Sequence, residues 1–121
     1  MARRRIEYVP VDDLVPHPDN PKGHAGDDIA ASIDRFGYVE PQVDDGRTGL
    51  LIAGHGRLAE LRAKQDSGAP APDGIRVKAG KWLVPVVYGW SSKDDEEALA
   101  YLVASNESTI AGGWIPEPLA A

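Results

Sequence analysis

The chain has 121 residues, 42% of them hydrophobic and 26% charged, enough apolar material for one packed core and a composition ordinary for a globular domain. Its formal net charge of −6 disfavours a general affinity for nucleic acid. Cysteine is absent, which excludes disulfides, zinc–thiolate centres and thiol chemistry and fits a cytoplasmic location.

No apolar run approaches the roughly 20 residues of a bilayer span, so no membrane partner is expected. Met1 to Arg5 is basic but has no apolar segment behind it, so it is not a signal peptide. The charge is unevenly spread: residues 1–64 hold 9 Lys/Arg against 11 Asp/Glu, and residues 65–121 hold 4 against 8. A local basic strip in the first half can still meet phosphates.

Residues 6–11 read as a short strand, with Pro10 placing it at an edge or ending it. The run His17-Pro18-Asp19-Asn20-Pro21-Lys22-Gly23-His24 is rich in turn formers and reads as a loop. Ile29, Ile33 and Phe36 then fall at i, i+4 and i+7, with Ala30 beside them, and predict a helix over about 27–36. Asp27 and Asp28 suit its N-terminus, and Gly37 its C-terminal stop.

Val39–Asp44 and Leu50–Ala53 read as two short strands joined by a loop with two glycines. A second helix runs from about His55 to Gln65, its stripe made of Leu58, Leu61 and Gln65. Residues 66–80 are dominated by Gly, Pro, Ala and Asp and read as a surface excursion, with a short strand at 75–78. Trp82–Tyr88 is the most strand-like run in the chain. Asp94–Ala104 predicts a third helix with Ala98, Leu99, Leu102 and Val103 inward and acid in its first turn. Asn106 and Glu107 stand at its end. Trp90 and Trp114 read as packing residues. The tail from Ala111 ends as though a further helix were beginning, the expectation being a single domain over 1–121 cut from something longer.

The chemistry concentrates at Leu51-Ile52-Ala53-Gly54-His55-Gly56-Arg57, an apolar strand turning sharply into a helix. Glycines there let backbone amides approach a ligand, and the helix start offers unpaired N–H groups and a positive dipole end. Arg57 adds a fork of donors suited to phosphate oxygens. His55 can donate a hydrogen bond, act as a base or bind metal, or simply belong to a tight turn. Asn20, Lys22 and His24 sit in the irregular loop. Glu40 lies at a helix-to-strand corner, facing solvent or helping to hold Mg²⁺.

Taken in order, these pieces resemble the ParB/sulfiredoxin superfamily, in the form called a ParB-like nuclease domain. The resemblance rests on Ile6–Leu14 with the His17–Lys22 loop, on Ile29–Gly37 followed by Glu40-Pro41-Gln42-Val43, and on Leu51–Ala59. Val84–Val87 and Ala104-Ser105-Asn106-Glu107 complete it. It implies the α+β class: a compact ParB/sulfiredoxin-like domain with a small mixed sheet and about three to four helices. The Gly-His-Gly-Arg box looks most like versions from phages and mobile elements.

In chromosome-segregation ParB proteins the box reads Gly-Glu-Arg-Arg and grips the triphosphate of CTP. Gly54 and Arg57 match it, while His55 and Gly56 replace the two middle residues. The family's Glu-Asn metal-binding pair is represented by Asn106 alone, and the loop arginine by Lys22. Sulfiredoxin chemistry is excluded because the chain has no Cys, and the helix-turn-helix of ParB proteins should lie beyond this region.

The resemblance thus implies a nucleotide-binding module, acting as a switch or weak NTPase in a DNA-associated phage or plasmid protein. In it Gly54, His55, Gly56 and Arg57 cradle the phosphates of CTP or ATP, with Asn20, Lys22 and His24 closing from the side. Asn106 and Glu40 place Mg²⁺. The alternatives are a metal-dependent DNA nuclease with His55 and Glu40 in catalytic roles, and a non-catalytic interaction module. The expected partners are a nucleotide, DNA through a partner or further domain, and a second copy of the chain.

Overall fold

The computed structural model describes residues 3–20 and 26–113, with side chains for 3–20 and 28–105. Chain order is β1 (Arg5–Pro10), a 3-10 turn (Val11–Asp13), α1 (Gly26–Phe36), β2 (Gln42–Asp44), β3 (Leu51–Ala53), α2 (His55–Asp66), β4 (Arg76–Lys78), β5 (Lys81–Tyr88) and α3 (Asp95–Gly113). This is the α+β arrangement with a small mixed sheet that the sequence predicts.

Strand β5 is the spine of the sheet. Along one edge it pairs antiparallel with all of β1, from Arg5↔Tyr88 to Pro10↔Leu83. Along the other it meets antiparallel β4 at residues 81–83 and parallel β2 at residues 86–87. Pro85 falls between those two pairings, where no strand borders β5 on that edge, so its missing N–H breaks no ladder. Strand β3 closes the order against β2.

Alternate residues of a strand face opposite ways, and Leu51 and Ile52 show the consequence. Leu51 joins the larger core under α1 and α2, with Ile33, Leu58, Leu61, Val84 and Val86. Its neighbour Ile52 joins a smaller core on the opposite face, with Ala98 and Leu102 of α3. Burying each such aliphatic side chain contributes about 1.5–3 kcal/mol.

Three expectations are corrected. Leu99 and Val103 are exposed rather than inward: among the described side chains α3 packs over Ile52 and Val43 through the narrow stripe Ala98–Leu102. Phe36 is exposed too, because α1 ends on it; the Arg35 guanidinium covers its ring at 4.8 Å. Finally, α3 continues through Asn106 to Gly113, so Asn106 does not follow the helix. No proline or glycine falls within residues 95–111 of α3, and an asparagine alone does not end a helix.

Residues 66–80 are more than an excursion. Ile75 is buried and Ala71 packs beside it on the larger core, while the Asp73 carbonyl accepts the Tyr38 amide at 2.6 Å. The segment closes the end of the core beside α1. Trp90 packs on the smaller core and against the Tyr101 ring, 5.0 Å between centroids. Trp114 lies outside the described residues, and no helix among those described is long and apolar enough to cross a membrane.

Candidate functional site

Strand β3 ends at Ala53 and α2 begins at His55, so the change of direction falls on Gly54. Its φ of 99° and ψ of 18° are left-handed, and a Cβ there would overlap the side-chain amide of Gln42. Only glycine meets both demands. No side chain caps this end, and the first turn of α2 holds no acidic residue. The leading amides and the positive end of the helix dipole therefore go unneutralised by the helix itself.

His55 opens the helix and is buried. Its Nε2 accepts the backbone amide of His17 at 3.0 Å, which requires an unprotonated nitrogen at that edge of the ring. The His17 Nδ1 in turn accepts the Asp19 amide at 3.0 Å. One turn pair further along the same face of α2, Arg62 donates through Nη2 to the Val11 carbonyl at 3.2 Å and the Leu14 carbonyl at 2.7 Å. The Leu51 amide bonds the Val15 carbonyl at 2.8 Å. Together these bonds stitch residues 11–17 to the strand–turn–helix unit. The nitrogen that His55 would use as a base on this side is engaged in that stitching.

Arg57 projects elsewhere. It lines a cleft of about 210 Å³ with Ser32, Phe36, Tyr38, Val39 and Glu40. Nη2 donates to the Pro41 carbonyl at 3.2 Å. The buried Nε meets no acceptor, and the buried Gln42 Oε1 meets no donor. No carboxylate among the described residues pairs with Arg57. The Tyr38 hydroxyl accepts from Gln42 Nε2 at 2.5 Å. Burial pushes the Tyr38 phenol up, against the opposing pull of the Arg57 charge and its contact.

The structure thus brings Glu40, exposed, into one cleft with Arg57, while His55 does not line that cleft and takes the His17 amide instead. Asn20 follows His17 in the loop, its amide on the His17 carbonyl at 3.1 Å. Lys22 and His24 lie outside the described residues, and the side chain of Asn106 lies outside the described side chains. The donor set of the turn fits a phosphate. For Mg²⁺, Glu40 is the predicted ligand whose side chain is described here. Among the described residues no three His, Asp or Glu side chains gather as a metal site.

A second polar cluster was hidden in the loop between β2 and β3. Asp45 is fully buried. Its carboxylate accepts the Ser92 amide at 2.9 Å, the Ser92 hydroxyl at 2.6 Å and the Arg47 amide at 3.1 Å. Arg47 completes the joint through Nε to Ser92 Oγ and Nη2 to Asp95, each at 2.7 Å. Burial alone would raise the Asp45 carboxyl. The bonds from Ser92 and Arg47 and the Arg47 charge outweigh it and hold the group below the usual carboxylate value.

No family model and no curated protein matches the sequence. The fold is similar to a solved structure of a Pnob8-like ParB-N domain, with a TM-score of 0.54 and 15% identity over 84% of this chain. The chain spans 37% of the length of that one. The architecture is therefore ParB-N-like, and at this identity the likeness concerns the fold alone.

Proposed function

We propose that this ParB-like domain binds the phosphates of a nucleotide at the β3–α2 turn, as part of a DNA-associated protein. The observation that carries the reading is Arg57. It stands in the first turn of a helix whose N-terminus has no acidic residue, donates to the Pro41 carbonyl and the Tyr38 hydroxyl, and pairs with no described carboxylate. An arginine so placed offers its remaining donors to an anion. Gly56 lets backbone amides approach the same anion, while Gly54 makes the turn beneath it. Glu40 on the shared cleft is available to a phosphate-bound Mg²⁺. His55 serves by holding the 11–17 segment beside the turn.

Isothermal titration of the full chain with CTP and ATP, each with Mg²⁺, tests the reading. Saturable binding that falls at least about tenfold in Arg57→Ala is the expected result. No heat with either nucleotide, or binding unchanged in Arg57→Ala, overturns it.

A further inference from the structure

The smaller core covers only half of its face of the sheet. Helix α3 sits above β2 and β3, and over the remaining half no helix packs among the described residues. Cross-strand partners share a face, so the register assigns the open half its residues. Ile6, Tyr8 and Pro10 of β1 lie opposite Val87, Pro85 and Leu83 of β5. Arg76 and Lys78 of β4 lie opposite Leu83 and Lys81. Ile6, Arg76, Lys78 and Lys81 are exposed, Tyr8, Pro10, Leu83 and Val87 half-buried and Pro85 buried, and the Arg76 guanidinium stacks on the Tyr8 ring at 3.8 Å, bridging across β5.

The charges on this half are of one sign. Glu7 is the only acidic residue of β1, β4 and β5, and its partner is Val86 of the larger core, so it belongs to the opposite face. Arg4, whose Nη1 donates to the Gly89 carbonyl at 2.5 Å, continues the basic rim past the end of β1. On a chain of net charge −6 this is a marked local reversal. A flat apolar strip, an aromatic ring stacked with arginine and a basic rim are the parts of a surface on which unpaired bases stack while cations follow the backbone. The six residues of β1 make the strip roughly 20 Å long.

We propose that the open half-sheet of β1, β5 and β4 binds single-stranded nucleic acid, with Tyr8 and Arg76 as the stacking platform and Lys78 and Lys81 on the phosphates. The surface is remote in sequence from the Gly54–Arg57 turn, and the proposal does not depend on nucleotide binding there.

Fluorescence anisotropy of the full chain tests it without any mononucleotide present. The probes are labelled dT and rU oligomers of about 15 nucleotides, a duplex of equal length and an oligo-glutamate peptide. Single strands should bind more tightly than the duplex or the peptide, with affinity falling linearly on a log–log salt plot. Lys78→Glu with Lys81→Glu, at the exposed hairpin tip, should lower affinity at least about tenfold and flatten the salt slope by about 1–2. Tyr8→Leu should lower it several-fold and leave the slope in place. Absence of binding at low salt, equal binding of the peptide, tighter binding of the duplex, or indifference to the lysine reversal each overturns the proposal. Circular dichroism confirms that the variants compared are folded.

Discussion

Two buried polar clusters among the described residues, at Asp45 and beside Arg57, are built on opposite terms. At Asp45 three donors converge on one carboxylate, and Arg47 goes on to bind Ser92 and Asp95. Around Arg57 the accounts do not close: Arg57 Nε and Gln42 Oε1 are buried without partners. Buried polar groups in native proteins are satisfied as a rule, and exceptions mark strain or function. The saturated cluster is a joint, holding the β2–β3 turn to the start of α3. The unsaturated one flanks the turn proposed to take phosphate.

The contrast breaks most visibly at Asp45. Asp45→Ala should cost about 3 kcal/mol in urea unfolding, because the Ser92 and Arg47 donors lose their acceptor where water does not reach. A pH series sharpens this. The folded carboxyl sits below its unfolded value, so its stabilisation is fully present above the unfolded value and is lost as pH falls through the folded one. Asp45→Asn should therefore flatten the acid side of the stability profile.

At the turn, Gly54→Ala combines a left-handed backbone with overlap on Gln42 and should cost roughly 2–4 kcal/mol. Tyr38→Phe removes the acceptor of Gln42 Nε2 and should cost about 1 kcal/mol. Arg57→Ala should change thermal stability by less than about 1 kcal/mol while changing ligand binding, the reverse of Asp45→Ala. A large stability loss at Arg57 would make the two clusters alike and remove the contrast. The smallest effect is expected at the exposed Arg5–Glu7 pair, where Glu7→Gln should fall within about 0.5 kcal/mol in the same unfolding assay.

Much of the fold was legible in the sequence because it is written locally. The stripe Leu58–Leu61 and the glycine before His55 place α2, and the apolar run 82–88 places β5. What the sequence withheld depends on partners distant along the chain. Asp45 looks like a turn residue until Ser92, 47 positions away, is known to sit beneath it. The sidedness of α3 depended on how much sheet lies under it, which no periodicity in 94–104 records. Arg62 looks like solvated charge until the Val11 and Leu14 carbonyls are found within its reach. For the candidate site, Gly54, Gly56 and Arg57 were readable as a turn. The engagement of His55 with the His17 amide was not, since nothing local links them.

The order β1-β5-β2-β3 has a consequence for biosynthesis. The strand that joins β1 to β2 is made after all the other described strands, and its pairing with β1 spans residues 5 to 88. A chain still attached to the ribosome can form the β2–β3 turn and α2 early, yet its first strand has no neighbour until β5 emerges. Until then the β1 edge is unpaired, and sheets completed by such distant contacts form slowly. Fusing a second copy of β5 ahead of β1 would shorten that wait, and faster refolding of such a chain would register it.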